Sequence, residues 1–325
     1  MIRVSDIVSE ALQNGQPVVA LESAVLTAGL PKGMWNNSFG ECPSCIDSSM
    51  PINVALANAV TNQVIKQGAI PAWIAVIDGV LSIGLSQTQI DTLCENKQVG
   101  KVSLATIAQA MHSKHSAGTT VATTLLACKH ASATNPIRVF STGGIGGIHQ
   151  HWAQRLDVSA DLTALASTAT CVVASGAKSI LDLHATVEAL ETIGVPTLGF
   201  GTDQFPAFIE QSTECDPHVF RVDSTLEIAS ICKAHWDTLG LKSSVLATVP
   251  VPQQGAIQRG TLSDIIEKAE SDWVDSHQPP ATRTPYVLGA LASMTQGKSL
   301  RANLELLCHN AKVAGEIATS LAKIS

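Results

Sequence analysis

The chain has 325 residues, of which 45% are hydrophobic, and its 27 acidic and 20 basic side chains give a formal net charge of −7. Charged residues make up only 14% of the chain, against roughly a quarter in ordinary globular proteins, which excludes a disordered chain. Because the net charge is acidic, aromatic residues reach only 4% and no run of Lys or Arg occurs, nucleic acid is not an expected partner.

The most apolar run of the chain, from Pro71 to Leu85, is interrupted by Asp78 and falls short of the roughly 18 uninterrupted apolar residues that a membrane span needs. The first residues lack the apolar core of a signal peptide and are typical of a short amphipathic helix that ends at Gly15. Eight cysteines are too few in a chain of this length for a disulfide scaffold. We therefore expect no membrane partner and a cytoplasmic location.

Short β-branched runs alternate with helical patterns along most of the chain, which predicts a layered α/β domain with a largely parallel sheet. The predicted strands are Pro17–Glu22, Ala72–Ile77, Ile137–Ser141, Cys171–Ala174, Thr197–Phe200 and Val245–Val249. The predicted helices include Val54–Lys66, Ala185–Ile193 and the last quarter of the chain from Leu262. Since no linker, repeat or charge block divides the chain, the sequence predicts one domain over residues 1–325 with a helical C-terminal part.

Residues 32–50, with the sequence KGMWNNSFGECPSCIDSSM, show no periodicity and are rich in Gly, Pro, Asn and Ser, which predicts an exposed inserted loop. Within it, Cys42-Pro-Ser-Cys45 has the spacing of a pair of metal ligands. A structural zinc site needs a second pair of Cys or His at similar spacing, and none is evident. A loop that carries two thiols is the simpler interpretation.

Glu22 ends the first predicted strand, at the carboxyl edge where layered α/β proteins place their ligands. A carboxyl group partly withdrawn from water at that edge holds a proton near neutral pH and acts as a general acid, although the same residue can simply cap the turn. Lys101, and the turn from Gly118 to Val121 that leads into a helix, add candidate anion contacts.

Four glycines follow the strand that ends at Ser141, in the sequence TGGIGGIH at 142–149. Backbone without Cβ atoms brings several N–H groups close to an anion, so this turn, which ends in His149, is a candidate phosphate site. It lacks both the G-K-[ST] of a P-loop and the third glycine of the Rossmann fingerprint, which disfavours these two classes. A glycine turn that merely reverses the chain is the alternative.

Asp157 and Asp161 are four residues apart, so both carboxylates approach one side of a helix that begins near Ser159. Such a pair could bind a hard divalent cation or act in acid–base catalysis. The alternative is that the aspartates only cap the helix and have no catalytic or metal-binding role.

Lys178 follows the apolar strand Cys171–Ala174. A partly desolvated amine there can attack a carbonyl carbon to form an imine, whereas a salt-bridged lysine is the alternative.

These segments, in this order, resemble the pseudouridine-5'-phosphate glycosidase family, which also contains indigoidine-synthase-A-like proteins. The resemblance rests on VVALES at 18–23, TGGIGGIH at 142–149, DVSADL at 157–162 and GAKSILDL at 176–183, with shorter matches over nearly the whole chain. It implies a three-layer α/β/α domain, assembled as a homotrimer. The implied enzyme uses Mn²⁺ and reversibly splits the C–C glycosidic bond of pseudouridine 5'-phosphate into uracil and ribose 5-phosphate.

By the same resemblance, Lys178 matches the imine-forming lysine, Glu22 the proton donor and Asp157 the metal ligand. The substrate-contacting positions match Lys101, Val121, His149, Ser159, Ala160, Asp161 and Asn303. A C–C glycoside has no leaving oxygen or nitrogen to protonate, so the two-carboxylate scheme of ordinary glycosidases is insufficient. An imine between C1' and Lys178, with proton transfer by Glu22, suits this bond.

The chain departs from the family pattern in four places. Ala28 stands where the family has His, the loop at 32–50 interrupts a Pro-x-Pro-x-Asn run, Leu104-Ala105 replaces a basic pair and Gln150 replaces Arg. These changes leave two alternatives open. One is an imine-forming lyase that acts on another sugar phosphate, and the other is a catalytically weakened homologue that binds a phosphosugar.

Overall fold

The computed structural model describes residues 1–150, 152–153, 156–276 and 283–324. The strands in these ranges are β1 Ile2–Val4, β2 Val18–Glu22, β3 Ile70–Ile77, β4 Val80–Ile83, β5 Lys101–Val102, β6 Ala117–Thr119, β7 Val139–Ser141, β8 Cys171–Ala174, β9 Thr197–Phe200, β10 Phe220–Val222 and β11 Val245–Thr248. The α-helices are α1 Asp6–Gln13, α2 Ile52–Lys66, α3 Gln87–Glu95, α4 Ile107–His112, α5 Val121–His130, α6 Ala160–Leu165, α7 Leu183–Thr192, α8 Thr225–Lys233, α9 Ser263–Asp275, α10 Arg283–Met294 and α11 Lys298–Ile324.

All of these strands join one sheet in which parallel pairs dominate. The main path runs β1-β4-β3-β2-β7-β8-β11-β9-β10, and β6 adds to β3 while β5 adds to β6. β3 is antiparallel to β4 and to β6, and the other pairs are parallel. The fold class predicted from the sequence is confirmed, and β2, β7 and β8 end side by side.

Helices cover both faces of the central strands. Every residue of β7, β8 and β11 is buried, as is typical of strands that are covered on both sides. α11 packs against α2 and α8 and lies across β2, β7 and β8, whereas α5 packs with α6 and against β2 and β3. The result is the three-layer arrangement that the resemblance implied.

The C-terminal part is helical in the described ranges, as the sequence predicts. α9 and α10 pack against each other, and α10 contacts α11. α11 is an integral part of the domain, because fifteen of its residues are buried. No helix of the described ranges is long and apolar enough to cross a membrane.

The inserted loop at 32–50 is closed at its base. The Ile52 N–H donates to the Gly33 carbonyl (2.9 Å), and Met34 forms a bridge with Pro51. The loop lies against α11, where the Cys45 thiol is close enough to that of Cys308 to affect its pKa. All eight cysteines are free thiols.

Candidate active site

A cavity of about 1080 Å³ opens where β2, β7 and β8 end. Carboxyl ends of neighbouring parallel strands are the usual ligand position in such sheets. The residues that the sequence analysis assigned to the site and that line this cavity are Glu22, Lys101, Val121, His149, Ser159, Ala160, Asp161, Lys178 and Asn303. The structure therefore brings together all of the assigned residues except Asp157.

Glu22 is the last residue of β2, and hydrogen bonds fix both its side chain and the residue that follows it. Its Oε1 accepts a short hydrogen bond from the Thr142 hydroxyl at the end of the neighbouring β7. The next residue, Ser23, is fully buried and donates to the Ile74 carbonyl (2.6 Å) while it accepts from the Thr119 N–H (3.1 Å). Burial raises the pKa of Glu22, although the Lys178 charge and the Thr142 hydrogen bond act against this rise.

Lys178 lies on a loop that runs beside the glycine turn. Its N–H donates to the Ile145 carbonyl (3.2 Å), and the Ile145 N–H donates to the Gly176 carbonyl (3.0 Å). Gly176 has φ +72°, and a Cβ atom there would collide with the Pro206 carbonyl oxygen, so glycine is required. The two loops are thus joined by backbone hydrogen bonds, and the half-buried Lys178 side chain faces the cavity.

Asp161 is a buried carboxylate that ties three elements together. Its Oδ1 accepts from the Ala122 N–H at the start of α5 (3.0 Å), and its Oδ2 accepts from the Gly146 N–H (2.8 Å). A negative charge at the N-terminus of a helix is stabilised by the helix dipole. A Cβ atom on Gly146 would lie 2.8 Å from Asp161 Oδ2, so the glycine turn needs Gly146 for this close approach.

Four titratable side chains line the cavity together, those of Glu22, Lys101, Asp161 and Lys178. Burial and the Lys178 charge lower the pKa of Lys101, whereas Glu22 and Asp161 act in the opposite direction. Within the described ranges, none of these four groups closes a direct ion pair with another. The two lysine side chains are therefore not neutralised by a direct ion pair within the cavity, and in the ammonium form they can bind an anionic ligand.

The remaining assigned residues surround these charges. Ser159 caps α6 by accepting from the Asp161 N–H (3.2 Å), which fixes the segment that carries Ala160. Val121 opens α5. The Asn303 amide oxygen from α11 lies over the glycine turn, 3.6 Å from where a Cβ atom on Gly143 would stand. His149 ends the turn and forms a bridge with Leu181, just beyond Lys178 in the chain.

Comparison with known proteins identifies the family of this chain. Residues 7–320 match the family described as indigoidine synthase A like protein. The chain belongs to this family.

Curated relatives of this indigoidine-synthase-A-like protein carry one name. The pseudouridine-5'-phosphate glycosidase of Glaesserella parasuis is 38% identical over 98% of both chains. That of Clostridium botulinum is 37% identical over 100% of this chain and 98% of its own length. The match extends over the whole length of these relatives.

Two solved structures share the indigoidine-synthase-A-like fold. The prealnumycin C-glycosynthase AlnA, in complex with ribulose 5-phosphate, has a TM-score of 0.83 and 32% identity, over 100% of this chain and 98% of that one. An indigoidine-synthase-A-like protein from Thermotoga maritima has a TM-score of 0.82 and 30% identity, over 99% and 97% of the two chains.

Asp157 lies outside the cavity lining, so the structure does not bring it together with Asp161 in this cavity. The helix begins after Ser159, and Asp157 precedes it and forms an ion pair with Arg283 of α10. Arg283 also binds Glu270, with 2.5 Å between Nη2 and Oε2. Asp157 and Asp161 therefore have different partners, since Asp161 accepts from the Ala122 and Gly146 N–H groups.

The surroundings of Asp157 fit a hydrated cation better than a cage of protein ligands. In the part of the chain that the structure describes, no group of three or more His, Cys, Asp or Glu side chains is placed to hold a metal ion. The Asp157 side chain is 37% exposed, and a carboxylate oxygen with several waters is an ordinary ligand set for a hard divalent cation. Such a cation would share this carboxylate with Arg283 or displace it.

Sequence reasoning missed two residues that shape the cavity. Thr142 was quoted only as part of the glycine turn, and its hydroxyl is the hydrogen-bond partner of Glu22. The signal was its position just after a predicted strand, because the carboxyl ends of parallel strands meet at one edge of the sheet. Phe208 lines the cavity with φ +63°, and no local pattern in the sequence indicates that conformation.

Proposed function

We propose that the protein reversibly cleaves the C–C glycosidic bond of pseudouridine 5'-phosphate to uracil and ribose 5-phosphate through an imine on Lys178. The observation that carries this proposal is the meeting of Lys178 with Glu22, Lys101 and Asp161 in one cavity. It is supported by full-length relatives that bear this enzyme's name and by a structural neighbour whose complex contains a pentose phosphate.

The proposed reaction balances with one water molecule. Lys178 attacks C1' of the ribose, and the ring oxygen leaves with a proton as the sugar opens. The uracil carbon then takes a proton from Glu22 while its bond to C1' breaks, and the nitrogen lone pair of Lys178 becomes the C=N bond of the imine. Water hydrolyses the imine, which frees the amine and releases ribose 5-phosphate.

The raised pKa of Glu22 suits the donor role, because a carboxylic acid that keeps its proton at higher pH can deliver it to carbon. The glycine turn, His149 and Lys101 are proposed to hold the 5'-phosphate, since backbone N–H groups and an ammonium attract that dianion. The other proposed contacts with substrate are Val121, Ser159, Ala160, Asp161 and Asn303.

Mn²⁺ is the proposed cofactor, held through the Asp157 carboxylate and otherwise by water. Bound there, it would order the water shell near the uracil end of the substrate. The proposed assembly is a homotrimer. The proposed location is the cytoplasm, whose reducing conditions keep free thiols such as those of this chain unpaired.

A second candidate reaction joins the same sugar phosphate to a larger aglycone. It is favoured by the cavity of about 1080 Å³, at the upper end of the roughly 300–1,000 Å³ of ordinary ligand sites, and by a neighbour named as a C-glycosynthase. Incubation with ribose 5-phosphate and a set of bases separates the two reactions. A C-nucleotide formed with uracil favours the first, and one formed only with a larger base favours the second.

The deciding experiment measures uracil release from pseudouridine 5'-phosphate, with Mn²⁺ and after chelation. Lys178→Arg should abolish release, by at least about a thousandfold, because a guanidinium offers no neutral amine near pH 7. Borohydride added with ribose 5-phosphate should attach the sugar phosphate to a peptide that contains Lys178 in the wild type only. Unchanged activity after complete chelation would overturn the role of the metal.

The matched control is Lys66→Arg, an exposed exchange in the last turn of α2. It should retain wild-type release and the wild-type adduct. An adduct on Lys101, or substantial turnover by Lys178→Arg, would contradict the imine assignment.

A further inference from the structure

Asn310 lies in the middle of α11, fully buried, opposite the ends of β7 and β8. Its amide nitrogen donates to the Thr142 carbonyl (2.9 Å) and to the Ser175 hydroxyl oxygen (3.1 Å), with a longer contact to the Gly143 carbonyl (3.4 Å). Its amide oxygen lies 3.2 Å from the Ser175 hydroxyl, which can donate to it. One side chain from the C-terminal helix therefore binds both catalytic loops.

One of these loops binds a proposed reacting group and the other carries one. Thr142 supplies the hydroxyl that donates to Glu22. Ser175 begins the loop that leads through Gly176 to Lys178, and its N–H donates to the Gly143 carbonyl (2.8 Å). A shift of either loop would change the separation between the proton donor and the amine.

We propose that Asn310 is a positioning residue that fixes the distance between Glu22 and Lys178 by binding the Thr142 and Ser175 loops with one amide. This inference rests on the proposed glycosidase function. Asn310 does not itself touch the substrate, because it lies behind the glycine turn and does not line the cavity.

The chemistry of the amide matches its partners. A neutral amide supplies two N–H donors and one carbonyl acceptor, which suits the carbonyl of Thr142 and the hydroxyl of Ser175. An apolar residue would leave buried polar atoms without partners, and an aspartate would set a carboxylate against a carbonyl oxygen. Asn303 and Leu307, one turn apart on the same helix, cover the glycine turn from the cavity side, so α11 supports the turn along its length.

The test compares three variants with the wild type. Asn310→Ala should lower kcat for uracil release by on the order of tenfold to a hundredfold while KM stays within about threefold, since small misplacements of reacting groups cost rate more than binding. Ser175→Ala retains the bond to Thr142 and should have a smaller effect. Ser244→Ala removes a buried hydroxyl that donates to the Thr168 carbonyl (2.6 Å), before β11 begins and away from the cavity, and should leave kcat unchanged.

The pH profile provides a readout that a loss of stability alone would not move. Loosening of Thr142 weakens its hydrogen bond to Glu22, and this bond lowers the pKa of that carboxyl. In Asn310→Ala, the alkaline limb of kcat that reports loss of the Glu22 proton should therefore move to higher pH. The other charged groups that face Glu22 are Lys178, Asp161 and Lys101, and the variant keeps all of them.

Hydrogen exchange of the peptides that cover 142–148 and 175–181 completes the test without any substrate. Both should exchange faster in Asn310→Ala and at the wild-type rate in Ser244→Ala. Unchanged exchange, or a kcat equal to that of Ser244→Ala, would overturn the positioning role.

If Asn310→Ala fails to fold, Ser175→Ala and Asn310→Ser replace it, and both should show a partial loss of kcat. A wild-type kcat in both variants would overturn the positioning role. A wild type that releases no uracil refutes the proposed function, and exchange then decides whether Asn310 holds the loops.

Discussion

Glu22 shows how a residue's function and its effect on stability are coupled. In the unfolded chain its pKa is the ordinary 4.5, and in the folded protein burial raises it. Between these two values the folded protein binds the proton and the unfolded chain does not, so the free energy of unfolding falls as pH rises through this window. Because the folded protein keeps this acid protonated, its free energy of unfolding falls as the solution becomes more alkaline.

Glu22→Gln should remove this pH dependence. At about pH 4 the variant and the wild type should melt at similar temperatures, and at pH 8 the variant should melt higher, by roughly 2 °C or more for a chain of this size. Differential scanning calorimetry at several pH values measures the difference. Glu188→Gln, on an exposed part of α7, corrects for the loss of one negative charge. A difference between Glu22→Gln and wild type that does not grow with pH would contradict the raised pKa.

At the site, the sequence predicted individual residues better than it predicted their interaction partners. Glu22 ends a buried strand and Lys178 follows one, and in a parallel sheet such positions lie at the same edge. The partners of Asp157 were not predictable in this way, because Arg283 lies 126 residues away in the chain and no local pattern joins them. Asn310 was missed for the same reason, since a helix sequence does not reveal which loop its buried amide faces.

At the scale of elements, the sequence predicted long apolar strands better than short or paired ones. The sequence predicted a strand at Ala72–Ile77 and none directly after it, whereas the structure has a hairpin of β3 and β4 there. Asp78 and Gly79 both have positive φ, +48° and +78°, the turn for which Asp-Gly is the common signal. Edge strands such as β1 and β10 have only three residues each, which is too few for periodicity to show.

The inserted loop supports an element-scale prediction, because no residue from Lys32 to Met50 lines the cavity in the ranges that the structure describes. Its base is closed at Gly33 and Ile52, so replacement of residues 35–50 by Asn-Gly should preserve the fold. The change removes Ile46, which is 7% exposed, together with the partly buried Trp35, Phe39 and Met50. It should therefore lower the free energy of unfolding by at least the roughly 2–5 kcal/mol expected for loss of the Ile46 side chain alone. KM and kcat should stay within about threefold of wild type.

Urea unfolding and uracil-release kinetics measure the two effects. Ile46→Ala in the full-length chain is the matched control, since it removes the buried side chain and keeps the loop. It should lower stability by about 2–5 kcal/mol without a change in KM. A tenfold rise in KM on excision alone would show that the loop acts as a lid on the site.

At the scale of the whole molecule, three exposed apolar residues are candidates for a subunit contact in the proposed homotrimer. Trp152, Leu156 and Val158 are 46%, 81% and 46% exposed, and they lie in the segment between His149 and Asp161. Apolar side chains grouped at such a segment are typical of subunit contacts. In the proposed homotrimer we expect this segment to be covered by a second copy of the chain, which would bring the subunit contact close to the site.

Light scattering during size-exclusion chromatography should therefore give three times the chain mass of 33.9 kDa. Leu156→Glu places a charge at the centre of the segment and should shift the mass toward that of one chain, because a buried unpaired charge costs several kcal/mol. Leu239→Glu, at a side chain 68% exposed after the helix Ala234–Thr238, is the matched control and should keep the trimer mass. A wild type that elutes with the mass of one chain at micromolar concentration would contradict the homotrimer. A trimeric Leu156→Glu would place the contact on another surface.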